Sequence, residues 1–343
     1  MRRWQREHVL GWLVSLVCAL GWTGCSRLPA GPAVTSRSTA RGITFVDWSA
    51  SGYASPAAAR SLSDLAATGA NTVVIVVTAY QADRFASELR PLDPRTPTPG
   101  AVRRATENAA ALGLEVVLKP HVDVDGGIWR GRIEPRDPVR WFESYRRFVL
   151  PWAALADSAG SREFVAGTEL AGTLEHADLW RETIHALRGA FRGRLVYAAS
   201  WDESERVPFW SDLDRVGVDF YFPVSSRRDA GRFEILAGWQ PWLERLHRLH
   251  ERTHRPILIT EVGYPSLDGA GMHPYEMGSG NRLDLGEQAD LYWAALQATG
   301  DLPWCAGLYW WDWPADGSGG ARDPGYSPIG KPAARELSTA WSR

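Results

Sequence analysis

The chain has 343 residues, 45% of them apolar, and a formal net charge of −2. It is too long for a small disulfide scaffold and too apolar for wholesale disorder; it fits one large α/β barrel of ~250 residues with insertions, or two modest domains. Near-neutral charge excludes nucleic acid as the main partner, because a phosphate backbone needs a basic surface.

In chain order, residues 1–24 read as an export signal. Arg2, Arg3 and Arg6 precede an apolar run from Val9 to Trp22, and the small residues Thr23 and Gly24 lead into Cys25. The run is shorter than the ~20 residues that a membrane-spanning helix needs. Cys25 directly after Thr-Gly resembles a bacterial lipobox, with Trp22 where such a box usually has Leu. The expectation is export and retention at the cell envelope through a lipidated Cys25, with plain secretion as the alternative. Residues 25–40, rich in Ser, Pro, Gly, Thr and Ala, read as a flexible tether. Of the three cysteines, only Cys305 lies beyond this leader, so no disulfide framework is possible. The eight histidines show no metal-ligand spacing, and no metal or organic cofactor is expected.

Residues 41–343 alternate strand and helix. Apolar or β-branched runs fall at Gly42–Trp48, Thr72–Gln81, Glu115–Val124, Glu163–Leu170, Leu195–Trp201, Val216–Val224, Pro256–Pro265 and Ala306–Pro314. Helix-like stretches between them include Pro56–Thr68, Ala101–Leu112, Trp141–Asp157, Ala177–Phe191, Leu236–His254 and Gly286–Thr299. Eight βα units imply a single closed (β/α)8 barrel, a TIM barrel, with a doubly wound open sheet as the alternative; no GxGxxG follows an early strand. In a barrel, function sits at the C-terminal ends of the strands. Those ends carry acidic and aromatic residues: Asp47-Trp48, Tyr80-Gln81, Lys119 to Asp123, Thr168-Glu169, Trp201-Asp202, Tyr221, Thr260-Glu261 and Trp310 to Trp313. The 18 tryptophans exceed what packing requires, so each is either core or a platform for flat apolar faces such as those of sugar rings.

Glu169 and Glu261 each follow an apolar run directly, on the fourth and seventh strands. They are three βα units apart, at about 31 residues per unit, which matches a barrel of ~250 residues divided by eight. The tips of these strands face each other across the mouth. Two opposed carboxylates about 5 Å apart are what retaining glycoside hydrolysis needs. The competing explanation, an ion pair with a neighbouring Arg, suits a lone strand-end Glu better than this pair.

The pattern resembles the large clan of retaining glycosidases on (β/α)8 barrels, and within it glycoside hydrolase family 113, whose characterised members are β-mannanases. The resemblance spans roughly Arg41 to Trp341. It rests on Gly167-Thr168-Glu169-Leu170, Thr260-Glu261-Val262-Gly263-Tyr264, Leu118-Lys119-Pro120-His121 and the closing Gly325 to Ala333 segment. It implies Glu169 as general acid/base, Glu261 as nucleophile, and β-1,4-mannan or glucomannan as substrate. Thr168 stands where most of the clan has Asn, and its shorter hydroxyl would face the substrate 2-hydroxyl. Tyr221 is expected to orient the nucleophile. Trp310 is expected to form the sugar platform rather than Trp311, since neighbouring strand residues point to opposite faces. Lys119 and His121, two apart and so on one face, would bind sugar hydroxyls. Asp47, Trp48, Asp123, Trp129, Trp201 and Asp202 would wall the cleft, with the long loops Leu267–Leu285 and Ala315–Gly330. A monomer with an oligosaccharide or polysaccharide substrate is expected. The alternatives are a non-catalytic carbohydrate-binding barrel lipoprotein, an envelope scaffold, or another activity of the clan such as β-glucanase, β-galactanase or exo-β-mannosidase.

Overall fold

The computed structural model describes residues 39–90, 93–277 and 282–342. The expected export signal, Cys25 and all but the end of the expected tether lie outside the described residues. In chain order the elements are β1 (Ala40–Val46), α1 (Pro56–Ala67), β2 (Thr72–Gln81), α2 (Pro99–Ala111), β3 (Glu115–Val124), α3 (Pro138–Ser158), β4 (Glu163–Thr168), α4 (Ala177–Ala190), β5 (Arg194–Ser200), β6 (Arg215–Phe220), α5 (Arg232–Gly238), α6 (Gln240–Thr253), β7 (Ile257–Val262), α7 (Leu285–Thr299), β8 (Cys305–Pro314) and α8 (Pro332–Trp341). The eight strands pair in sequence order, all parallel, and close into a barrel.

Local chemistry sets the helix starts. Ser55, Thr98 and Asp137 each accept a hydrogen bond from a first-turn amide, and each is followed by a proline whose fixed φ suits that turn. The expected single helix Leu236–His254 is two helices. Pro241 falls in the first turn of α6, and its ring would clash with the Ala237 carbonyl in an unbroken helix, so the chain bends at Trp239. Helix α8, which the periodicity did not single out, follows the Gly330-Lys331 turn.

Inside the barrel Val74, Val117, Val165, Val196, Ala198, Leu258 and Tyr309 form one packed layer. Trp141, Trp180, Trp239 and Trp310 are fully buried in the larger core. Below the valine layer, Glu163 is saturated by Arg215 (2.6 Å), Arg194 (3.2 Å) and the Tyr309 hydroxyl (2.6 Å), closing the floor. The mouth is built differently. Strands β4, β7 and β8 each carry a register shift close to their C-terminal ends. Such bulges re-aim side chains. On β7, strict alternation from the inward Leu258 would send Glu261 outward. The shift between the Val218–Ile259 and Asp219–Glu261 pairs brings it inside instead.

The long loops after β7 and β8 are tied together by Lys331. Its buried ammonium donates to Ser266 Oγ (2.8 Å), Asp323 Oδ2 (2.9 Å) and the Gly325 carbonyl (2.9 Å). Tyr326 adds a bond from its hydroxyl to the Pro274 carbonyl.

Candidate active site

Glu261 ends β7 and is 4% exposed. Lys119, from β3, crosses the barrel beneath it. Its ammonium donates to Glu261 Oε1 (2.6 Å), to Asp219 Oδ1 on β6 (3.1 Å) and to the Thr260 carbonyl (3.0 Å). All three donors are used and the side chain is fully buried. Lys119 therefore cannot bind sugar hydroxyls as expected; an inward-facing lysine on a middle turn of the strand finds carboxylates across the barrel before it finds the cleft. The Tyr221 hydroxyl donates to the other oxygen, Glu261 Oε2, at 2.7 Å. Burial, the largest single influence, would raise the Glu261 carboxyl, but the Lys119 charge and hydrogen bond together with the neighbouring His121 outweigh it and hold the group well below the usual carboxylate range. Asp219 moves the other way. Burial and the adjacent Glu261 charge push it up, and its Oδ2 has no hydrogen-bond partner among the described residues.

His121 is buried beside this group, with Nε2 3.6 Å from Glu261 Oε1, just beyond hydrogen-bond reach. Burial, then the Arg130 charge, lower its pKa to about 4, so the ring is neutral at neutral pH. It stacks on Trp311 with centroids 5.8 Å apart. Here the structure corrects the expectation for strand eight. Trp310 is fully buried and stacks on Tyr292 of α7 at 3.8 Å. Trp311 is the partly exposed residue that lies beside His121.

Glu169 stands just past β4, half-buried, with a left-handed backbone at φ +51°. The Trp129 indole N–H donates to its Oε2 (3.1 Å), and an Arg130 nitrogen lies 3.9 Å from the same atom. The Trp129 ring lies so close over Gly131 that a Cβ there would sit 2.4 Å from it, so the glycine in this loop is a packing requirement. Burial, then the Glu261 charge, raise the Glu169 carboxyl; Arg130 and the Trp129 N–H oppose this only in part.

The other expected wall residues divide. Trp48 and Trp129 are 46% and 43% exposed. Trp201 is partly exposed and stacks with Tyr275 (6.3 Å, 19°). Thr168 is buried and its hydroxyl donates to the Pro120 carbonyl, so its proton is not available to a sugar. Asp47 is turned into its own loop, accepting from the Ser49 amide and hydroxyl. Asp123 is paired with Arg130 (2.6 Å), and Asp202 accepts from Ser200. Asp219, Arg130 and Tyr275 were not singled out from the sequence. Asp219 carries a usable signal, because it lies two residues before Tyr221 and shares its strand face.

Residues 43–331 match the model of Glycoside Hydrolase Family 113. The chain belongs to glycoside hydrolase family 113. Among solved structures, a family 113 β-1,4-mannanase in a complex is 26% identical, with TM-score 0.81 over 89% of this chain and 99% of that one. A family 113 β-mannanase from Alicyclobacillus acidocaldarius, in complex with ManMIm, is 28% identical, with TM-score 0.81 over 89% and 97%. A β-glucuronidase from Faecalibacterium prausnitzii shares the barrel alone, at 11% identity and TM-score 0.60 over 89% of this chain and 49% of that one. No curated protein matches by sequence. This family 113 protein is thus a β-mannanase-like glycoside hydrolase, whose family implies an oligosaccharide substrate. Among its described residues no group of three or more His, Cys, Asp or Glu side chains could hold a metal ion.

Proposed function

We propose that the protein hydrolyses β-1,4-mannan or glucomannan with retention, by double displacement on Glu261 and Glu169. One observation carries this reading: two carboxyls at the barrel mouth whose surroundings push them in opposite directions, Glu261 down and Glu169 up. The first is biased towards the ion that attacks and the second towards the protonated form that gives its proton.

In the first step a Glu261 oxygen attacks the anomeric carbon, the bond to the leaving sugar oxygen breaks, and Glu169 transfers its proton to that oxygen. The Trp129 N–H occupies Glu169 Oε2, which leaves Oε1 to carry the proton. Esterification removes the Glu261 charge, which is one of the two influences that raise Glu169. Glu169 then becomes a better-stabilised carboxylate, suited to take a proton from the water that attacks the anomeric carbon and releases Glu261. While Glu261 is esterified, Lys119 keeps its hydrogen bonds to Asp219 and the Thr260 carbonyl. In this reading Trp311 underlies the sugar at the cleavage point, and Trp48, Trp129 and the Trp201–Tyr275 pair, all at least partly exposed, offer flat surfaces for further sugar rings. The signal-like pattern of residues 1–24 and the lipobox-like Cys25 support a further part of this reading, an envelope-anchored enzyme.

The test is product analysis on mannan, glucomannan, cellulose-type and galactan substrates, with the anomeric configuration of the first product followed by NMR. Manno-oligosaccharides first released as the β-anomer are expected. Glu261→Gln and Glu169→Gln should each remove most turnover on the polysaccharide and stay folded. Full activity in either variant, or inversion, overturns the mechanism; products from glucan or galactan alone reassign the sugar.

A further inference from the structure

Both amides that bracket Glu169 are held by β5. The Glu169 N–H donates to the Ala198 carbonyl and the Leu170 N–H donates to the Tyr197 hydroxyl, each at 2.8 Å. Between them Glu169 sits at φ +51°, a conformation that is costly for a non-glycine residue and persists only where its surroundings impose it. The Tyr197 hydroxyl has a single proton, which it donates to Glu203 Oε1 (3.1 Å), so it meets Leu170 as an acceptor. Its ring is wedged against Trp180, Phe209 and Trp210 and cannot turn away. Glu203 lies in the loop after β5 and is fully buried. Its Oε1 also accepts from the Ser200 amide (3.0 Å), and its Oε2 has no hydrogen-bond partner among the described residues. A buried carboxyl with an unmatched oxygen is an expensive way to fill a core. It makes sense if its job is to set the direction of the Tyr197 hydroxyl.

We propose that Glu203 and Tyr197 are positioning residues for Glu169: Glu203 orients the Tyr197 hydroxyl, and that hydroxyl pins the left-handed turn that aims the Glu169 carboxyl at the leaving-group oxygen. The inference rests on the reading of Glu169 as the general acid/base. Neither residue touches substrate. A misaimed acid slows the first step only where the leaving group needs a proton, as a sugar does and a dinitrophenolate does not; the second step needs Glu169 as base in either case, so the comparison is made in kcat/KM, which reports the first step.

The experiment compares mannopentaose with a 2,4-dinitrophenyl β-manno-oligoside in wild type, Tyr197→Phe, Glu203→Leu, Glu203→Gln and Glu169→Gln, with melting temperatures alongside. Tyr197→Phe and Glu203→Leu should lose roughly 10- to 100-fold in kcat/KM on mannopentaose and less than about 3-fold in kcat/KM on the activated glycoside. Glu203→Gln, whose amide oxygen accepts the same two bonds, should stay near wild type. If Glu203→Leu does not fold, Tyr197→Phe alone decides. Equal losses on both substrates, or none, overturn the proposal. Leaving-group selectivity in Glu169→Gln without it in Tyr197→Phe defeats this inference alone. Its absence in Glu169→Gln defeats the acid/base reading, and this inference with it.

Discussion

The two carboxyls of the cleft are held by different parts of the molecule. Glu261 is gripped by side chains from inside the barrel, with Lys119 on one oxygen and Tyr221 on the other. Glu169 is gripped through its backbone by β5 and touched only at one oxygen by Trp129, from an exposed loop. The nucleophile must stay charged in a place that burial makes hostile to charge, and an equally buried cation together with hydrogen bonds to the carboxylate offsets that. The acid must keep a proton and later give it up, so its surroundings work best when they neither trap the charge nor forbid it.

Removing the cation breaks this contrast most severely. Lys119→Met leaves Glu261 and Asp219 buried without a counter-charge, and breaking such a pair costs ~3–5 kcal/mol. Turnover should fall with it, because Glu261 would then hold its proton to higher pH. The sign of the pH dependence follows from linkage. In wild type the depressed Glu261 pKa contributes stability that is present above the ordinary carboxylate range and is lost only as pH falls through the folded value. In the variant the unpaired carboxyl is raised instead, so acid relieves it. The stability gap in urea melts should therefore be widest at neutral pH and narrow towards pH 4, while the acid limb of kcat/KM moves upward. An unmoved acid limb would show that Lys119 does not hold the nucleophile ionised.

Tyr221→Phe makes a smaller cut on the same side. It removes one hydrogen bond to a charged oxygen, worth about 1.5–3 kcal/mol, and no cation. The expected result is a fall in kcat of roughly ten- to a hundredfold with little change in the acid limb. If the limb moved as far as in Lys119→Met, the hydroxyl rather than the ammonium would be the main influence on Glu261.

Much of this contrast could be read before any fold was known, and the unread part has a physical pattern. The eight strands stand out because each is an apolar or β-branched run broken by polar residues, and the two glutamates stand out as single charges directly after such runs. What could not be read is the phase of side-chain alternation where the strands bulge. From Leu258, a period of two sends Glu261 to the wrong face, and the extra residue that corrects it leaves no mark in the sequence. Along Leu308-Tyr309-Trp310-Trp311-Asp312-Trp313 the aromatics occupy both faces, so nothing in composition separates Trp310, stacked under α7, from the partly exposed Trp311, stacked on His121. Lys119 was placed on the correct face with the wrong destination. Facing inward does not say whether a long side chain reaches up to a sugar or across to Asp219 and Glu261.

The finest test lies on the acid's side. Trp129→Phe keeps an aromatic surface over Gly131 but removes the N–H that donates to Glu169 Oε2. That N–H lowers the Glu169 pKa, against burial and the Glu261 charge, which raise it. Without it the proton is held more tightly, so the alkaline limb of kcat/KM, where the acid form is lost, should move to higher pH. The acid limb belongs to Glu261 and should stay in place. On an activated dinitrophenyl substrate the first step needs no proton, and the shift should disappear from kcat/KM. An alkaline limb that moves downward, or one that moves equally on both substrates, would separate that limb from Glu169 and end the division of labour drawn here between a side-chain-held nucleophile and a backbone-held acid.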